Sequence, residues 1–369
     1  METGQFAQLL LAWSKQHGRH DLPWQRNISP YRVWVSEVML QQTQVGAVIP
    51  YFERFMARFP SLESLAEAPL DEVLHLWTGL GYYARARNLY ACAQILIATR
   101  GGEFPKDIEE LQRLPGIGRS TAAAILSLAH GQRHPILDGN VKRVLARVFG
   151  IEGDPGTAQV LKALWAQAEA CMPERGPAAY TQAIMDLGAT LCTRGRPACA
   201  ACPMRAICVA AREGRTAELP GAKRRRARAS REATLLIAEC EGGRALRILL
   251  ERRPSPGVWG GLWSPPQFDS EAAALDWCRR EIGEPDPETQ ALAPIDHAFT
   301  HFDLRLNPVR VRCTLKSGVS QGVGDGDGVG VGEGGGRLWY CLTKPERVGL
   351  PQPIRRLFDR LLTAQARFA

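Results

Sequence analysis

The sequence predicts two domains, the first all-α and the second α+β, and three observations carry that reading. The 369 residues exceed what one hydrophobic core usually organises. Apolar residues recur at helical spacing up to about residue 212, whereas beyond residue 232 the period shortens to two. Between the two stretches the composition changes abruptly, and Lys223-Arg224-Arg225-Arg226-Ala227-Arg228 reads as an exposed basic linker. The expected division is therefore 1–212, a linker 213–231, and 232–369. The basic run is either a solvated charge run or a strap that contacts phosphate.

In the first region Ser29-Pro30 is a helix start, an N-cap followed by Pro at the first helical position. Asp107-x-x-Glu110 resembles a capping box opening another helix. In the second region Thr234–Glu239 and Arg244–Glu251 flank Gly242-Gly243 as strand, turn and strand. Glu271–Arg280 suits a helix, and His297–Leu315 a long strand or hairpin. Ser317–Gly336 is Gly-dominated and is expected to be a flexible surface loop. A strand at Leu338–Leu342 and a helix from Pro353 to about Thr363 complete the domain.

Composition narrows the class. At 45% hydrophobic and 23% charged, the chain reads as an ordinary soluble globular protein, and its net charge of +8 favours an anionic partner. The ten cysteines are too sparse and irregular for a secreted disulfide scaffold. Met1-Glu2-Thr3-Gly4-Gln5 lacks the basic flank and apolar run of a signal peptide, and no stretch has the apolar length of a membrane span. A reducing cytoplasm, at the nucleoid, is the expected compartment.

Four of those cysteines fall in one window, Cys192-x6-Cys199-x2-Cys202-x5-Cys208. Four thiolates on short loops suit a tetrahedral or cubane metal centre. Zinc ribbons usually pair their cysteines as two C-x2-C units, and here only one such unit exists, so the spacing favours iron–sulfur with zinc as the alternative. The intervening Arg194, Arg196 and Arg205 are cationic, which suits a loop that grips phosphate. Leu114-Pro115-Gly116-Ile117-Gly118-Arg119-Ser120-Thr121 lies between helical segments. Gly116 and Gly118 let the backbone turn tightly and bare its N–H groups at a helix N-terminus, a ready anion site of the helix–hairpin–helix kind. An ordinary tight turn is the plain alternative.

Two carboxylates stand out. Glu37 is the lone charge in Val33-Trp34-Val35-Ser36-Glu37-Val38-Met39-Leu40. It is either a structural carboxylate bonded to a neighbouring helix, which local sequence alone favours, or a desolvated acid with a raised pKa. Asp138 precedes the helical Val141-Lys142-Arg143-Val144-Leu145 and reads as an N-cap; a carboxylate held there can be cap and catalyst at once.

These blocks resemble one family. Leu22-Pro23-Trp24, Ser36-Glu37-Val38-Met39-Leu40-Gln41-Gln42-Thr43-Gln44-Val45, Trp77-Thr78-Gly79-Leu80-Gly81-Tyr82-Tyr83-Ala84-Arg85-Ala86 and Ile136-Leu137-Asp138-Gly139-Asn140-Val141 are similar to adenine DNA glycosylases of the MutY type. With the hairpin and the cysteine spacing, the similarity covers the first 210 residues almost continuously. Gly257-Val258-Trp259-Gly260-Gly261-Leu262-Trp263 and Phe299-Thr300-His301-Phe302 extend it through the second region.

The resemblance implies a monofunctional enzyme of base excision repair that hydrolyses the N-glycosidic bond of adenine mispaired with 8-oxoguanine or guanine. Its fold would be a helix–hairpin–helix glycosylase domain carrying one 4Fe–4S cluster on Cys192, Cys199, Cys202 and Cys208 in the loop 192–208, followed by a MutT/Nudix-like domain. Glu37 would protonate adenine N7 and Asp138 would stabilise the sugar cation, with Ser120 and Asn140 orienting them. Trp24, Gln25 and Gln182 would shape the adenine pocket. Gln41, Gln42, Thr43, Tyr82, Gly116 and Gly118 would contact DNA, with Gln42 and Tyr82 wedged into the stack. Phe299, Thr300 and His301 match a Phe-Ser-His loop that inspects 8-oxoguanine, with Thr in place of Ser. Ser120 stands where bifunctional relatives carry a Schiff-base lysine, and a hydroxyl cannot do that chemistry. Arg279-Arg280-Glu281-Ile282-Gly283-Glu284 keeps too few carboxylates of the Nudix box to clamp magnesium and a pyrophosphate, so the second domain is expected to recognise rather than hydrolyse. The expected partner is double-stranded DNA, engaged by a monomer and without a membrane. An endonuclease III-like glycosylase/lyase and a non-catalytic iron–sulfur DNA-binding protein are the alternatives.

Overall fold

The computed structural model describes residues 3–222, 228–242, 245–315 and 336–365. Residues 223–227 of the expected basic run, Gly243 of the expected turn, and all of the Gly-rich stretch but Gly336 lie outside the described residues. By its contacts the chain divides into residues 1–67 with 84–225, and residues 68–83 with 226–369.

The helices of the first region are α1 (Thr3–His17), α2 (Pro30–Leu40), α3 (Val45–Arg58), α4 (Leu62–Ala66), α5 (Leu70–Trp77), α6 (Ala84–Arg100), α7 (Ile108–Gln112), α8 (Arg119–His130), α9 (Gly139–Phe149), α10 (Ala158–Cys171), α11 (Pro177–Thr190) and α12 (Val209–Arg212). All but α5 belong to the first unit. Local chemistry sets their starts. Ser29 caps α2 by accepting from Arg32 N at 3.2 Å, with Pro30 fixing the first helical φ. Asp107 caps α7 through Glu109 N and Glu110 N, while the Glu110 carboxylate is engaged by Arg100 at 3.0 Å.

The core of this unit gathers Phe6 and Leu10 of α1, Val141, Val144 and Leu145 of α9, Leu164 of α10, and Tyr180, Ile184 and Leu187 of α11. Helix α2 packs against α3 and α8 and buries Val33, Trp34, Val35, Val38 and Met39. Truncating a residue such as Trp34, which has no exposed surface, costs about 3–5 kcal/mol in such cores. That packing holds α2 rigidly, and Glu37 with it.

The second unit is built on a sheet of β1 (Ala229–Gly242), β2 (Ala245–Arg252), β3 (Trp263–Ser264), β4 (Gln267–Phe268), β5 (Gly283–Pro285), β6 (Gln290–Ala291), β7 (Ile295–Ala298), β8 (Phe302–Leu315) and β9 (Arg337–Cys341), with helices α13 (Glu271–Glu281) and α14 (Gln352–Gln365). Its main path runs β3-β2-β1-β8-β5. Strands β1 and β8 are parallel, from Ala229 opposite Phe302 to Glu239 opposite Arg312; the other pairs are antiparallel. Ala274 and Cys278 of α13 join Leu236, Ala238, Leu249, Val309 and Val311 in one core. Strand β1 begins five residues before the expected Thr234, because its pairing with β8 carries Ser230, Arg231 and Glu232, which are exposed and show no apolar alternation. Residues 295–315 form the hairpin alternative, turning at Phe299–His301. Within this unit the apolar face of α5, Val73, Leu74 and Trp77, is buried, and the Asp71 carboxylate accepts from Trp263 Nε1 at 3.1 Å and pairs with Arg252. Among the described residues no helix is long and apolar enough to cross a membrane.

Candidate active site

Glu37 sits in the middle of α2, largely but not fully buried among apolar neighbours. Burial first, and the nearby Asp138 carboxylate second, push its pKa up to about 8. Asp138 is the N-cap of α9, its Oδ1 accepting from Val141 N at 2.7 Å. Burial raises its pKa too, but donors from the backbone at Val141 and Asn140, and the charges of Arg143 and Lys142, work to lower it. Two carboxylates thus share one site, both raised by burial, but only at Asp138 is the rise opposed. Glu37 has only reasons to hold a proton; Asp138 is furnished with groups that favour its charge.

The surrounding residues fix this pair. Ser120, in the first turn of α8, accepts from Leu137 N at 3.0 Å and so tethers the backbone immediately before Asp138. Asn140 accepts from Arg143 at 2.8 Å, and Arg143 also donates to Gly188 O and Cys192 O, both at 2.7 Å. A Cβ at Gly188 would lie 2.7 Å from Asn140 Cβ, so glycine is what lets α11 approach the start of α9. At Gly116 φ is +75°, and Gly116 and Gly118 are exposed on either side of the buried Ile117, presenting hairpin backbone outward.

Trp24 is buried edge-on against Phe52, with ring centroids 5.5 Å apart. Gln25 and Gln182 are joined by a network the sequence did not disclose. Gln182 donates to Asp186 Oδ1 at 2.8 Å, Arg19 donates to both oxygens of Asp186, and Gln25 donates to Arg19 O at 2.8 Å. Asp186 is fully buried, so Arg19 is its obligatory counter-charge. A second unforeseen residue is Arg85 of α6, whose guanidinium receives the carbonyls of Val38, Met39 and Gln41 at 2.6–2.9 Å. It satisfies the open end of α2 and complements its dipole. It thereby holds the Gln41-Gln42-Thr43 turn, in which Gln42 adopts φ +58°.

Cys192, Cys199, Cys202 and Cys208 line one cavity together with side chains of α9 and α11. Arg147, buried in α9, ties down the loop by donating to Thr193 O at 2.7 Å, Arg194 O at 3.2 Å and Leu219 O at 2.9 Å. Among the described residues no group of three or more His, Cys, Asp or Glu is gathered closely enough for a single metal ion. All ten cysteines are free thiols.

In the second unit Tyr82 is half exposed with φ +47°. Phe299 is gripped by Trp259, His297 and Phe302 at centroid distances of 5.5, 4.5 and 4.6 Å, and its N–H donates to Phe302 O at 2.8 Å. Thr300 and His301 are exposed at the hairpin tip. Glu281 is paired with Arg337 at 3.0 Å, and Glu284 with Arg279 at 3.6 Å.

Residues 35–170 match the HhH-GPD superfamily of base excision DNA repair proteins, and residues 233–360 match the NUDIX domain. The adenine DNA glycosylase of Buchnera aphidicola (from Acyrthosiphon pisum) is 37% identical over 355 residues, spanning 96% of this chain and 97% of that one. This chain belongs to the adenine DNA glycosylase family. The Rattus norvegicus adenine DNA glycosylase is likewise 37% identical, over 81% of this chain and 69% of its own. Among solved structures, a thermostable thymine-DNA glycosylase aligns with a TM-score of 0.52 and 28% identity, over 57% of this chain and 97% of that one. A trapped endonuclease III–DNA covalent intermediate aligns with a TM-score of 0.50 and 24% identity, over 58% and 99%, and shows the shared helical fold. The fold expected from the sequence, helical glycosylase followed by Nudix-like domain, is the fold of this adenine DNA glycosylase family member.

Proposed function

We propose that this enzyme excises adenine mispaired with 8-oxoguanine or guanine in double-stranded DNA, and leaves the strand uncut. The observation that carries the reading is Glu37, its pKa lifted to about 8 beside Asp138. Glu37 delivers its proton to N7 of a flipped adenine. The C1′–N9 bond then breaks with its electron pair leaving on the base. Asp138 faces the sugar cation and closes on C1′. Water then attacks C1′, the carboxylate departs, and the water proton returns to Glu37, so both groups are restored as in a retaining glycosidase. Ser120 and Asn140 keep the start of α9 in register. The pocket for the base is assigned to Trp24, Gln25 and Gln182, with Arg19 and Asp186 beneath the two glutamines.

Duplex DNA, met by a monomer in the bacterial cytoplasm, is gripped through Gln41, Gln42, Thr43, Tyr82, Gly116 and Gly118, and the net charge of +8 supports an anionic partner. Phe299, Thr300 and His301 read the base opposite adenine. The cysteine cavity is assigned one 4Fe–4S cluster on Cys192, Cys199, Cys202 and Cys208. That group would hold the basic loop in place, and the proton chemistry is left to the carboxylates. Ser120 bonded to Leu137 N supports a monofunctional enzyme. The Arg337–Glu281 pair supports a second domain that recognises without hydrolysing.

The test is a single-turnover assay on duplexes carrying A:8-oxoguanine, A:G or thymine glycol, with and without alkali. Adenine release with breakage only after alkali supports the reading. Breakage at thymine glycol without alkali, or no release from any duplex, overturns it.

A further inference from the structure

Tyr82 and Tyr83 are neighbours with opposite surroundings. Tyr82 is 50% exposed, whereas Tyr83 is buried. Tyr82 also holds φ +47°, in a turn where Gly79 has φ +106° and Gly81 φ +71°. A non-glycine residue in that region is strained and persists only where its surroundings enforce it.

The enforcing contacts come from far along the chain. The Tyr83 hydroxyl donates to Leu350 O at 2.8 Å and accepts from Gly79 N at 3.4 Å, so one phenol closes the turn and fastens it to residue 350. Leu350 N donates to Thr78 Oγ1 at 3.4 Å, and that hydroxyl donates to Leu74 O at 3.1 Å. Beside these bonds the backbone presses close: a Cβ at Gly349 would lie 2.5 Å from Leu74 Cβ. Gly349 O in turn accepts from Trp263 N at 2.9 Å in β3. Residues 68–83 lie inside the HhH-GPD match, yet by their contacts they belong with 226–369.

We propose that Tyr83 is a positioning residue for Tyr82: its hydroxyl clamps the 79–83 turn onto Leu350, so the Nudix-like region sets the pose of the aromatic ring offered to DNA. This rests on the reading of Tyr82 as a wedge in the stack. It gives the segment 348–350 a part in base extrusion, separate from reading the opposite base at Phe299–His301.

The experiment uses the full chain and duplexes carrying 2-aminopurine beside the mispaired adenine. The readouts are the fluorescence rise on binding and single-turnover adenine release. Tyr83→Phe removes both hydrogen bonds of that hydroxyl and should lower the rise, and should slow release about two- to tenfold on both mispairs alike. The ratio between mispairs should stay unchanged, as a lesion-reading defect would not leave it. In a Tyr82→Ala background, Tyr83→Phe should add no further loss, since it acts through that ring. Thr78→Val, which removes the hydroxyl facing Leu350 N, should act in the same direction and carries the test if Tyr83→Phe unfolds. Wild-type fluorescence and rate in Tyr83→Phe, or losses that add fully to those of Tyr82→Ala, overturn the proposal. If Tyr82→Ala alone changes neither readout, the wedge reading of Tyr82 has failed instead.

Discussion

Glu37 and the tip Thr300-His301 are held in opposite ways. Glu37 is embedded in a helix whose neighbours are nearly all buried, and the lack of water around it is what makes it an acid near neutrality. Thr300 and His301 stand exposed at the end of a hairpin, anchored only from behind by the ring stack on Phe299. The difference teaches a division of labour. Proton transfer needs desolvation and rigid walls, so that region is built by packing. The base inspection proposed for the tip needs side chains that water vacates only when DNA arrives, and a turn supplies them.

The sharpest way to break this contrast is at Glu37. Glu37→Gln keeps the size of the side chain but has no acidic proton, and adenine release should fall by about 10²–10⁴-fold with duplex affinity largely kept. Single-turnover rates and a binding titration check this. Next in size is the buried Arg19–Asp186 pair. Asp186→Ala strands the Arg19 guanidinium and should cost about 3–5 kcal/mol of stability in denaturant melts, whereas a surface pair such as Arg100–Glu110 should cost under about 1 kcal/mol.

The pH dependence follows from the direction of the Glu37 shift. Its folded pKa, about 8, lies above the ordinary carboxylate value, so its acid form is favoured by folding. Release should decline as pH rises through about 8. The stability linked to this proton is fully present below the ordinary value of 4.5 and is lost as pH rises from there to about 8, and Glu37→Gln should flatten that part of the melting profile. The gentlest change belongs at the hairpin. Phe299→Ala should leave release from A:G near wild type while lowering the preference for 8-oxoguanine by about tenfold, the order of one aromatic packing contact. Truncation after Arg212 is a blunter tool, because it removes Leu350 together with Phe299.

The sequence was legible where chemistry is local. A lone carboxylate in an apolar helix, an Asp before a helix, two glycines around an isoleucine and four clustered cysteines all announce themselves within a few residues. What stayed hidden are partners set by the fold. Arg85, Asp186 and Arg143 look like ordinary polar residues of helices, and only packing shows that they close α2, support Gln182 and link α9 to Cys192. Strand β1 was underestimated for the same reason, since a parallel partner some seventy residues away (Ala229 against Phe302) defines its first residues. The assignment of 68–83 is the extreme case: nothing in Leu70–Trp77 names β3 or Gly349 as its cover.

That last feature has a cost in time. Tyr83 and Leu350 are 267 residues apart in the chain. At a synthesis rate of roughly 5–20 residues per second, the turn that bears Tyr82 leaves the ribosome about 13–53 seconds before the residue that fastens it. During that interval Leu74 has not yet met Gly349, and the apolar face it shares with Val73 and Trp77 lacks that cover. A nascent chain of this enzyme therefore passes through a long, sticky adolescence, and α5 is the place where a chaperone would have most to do.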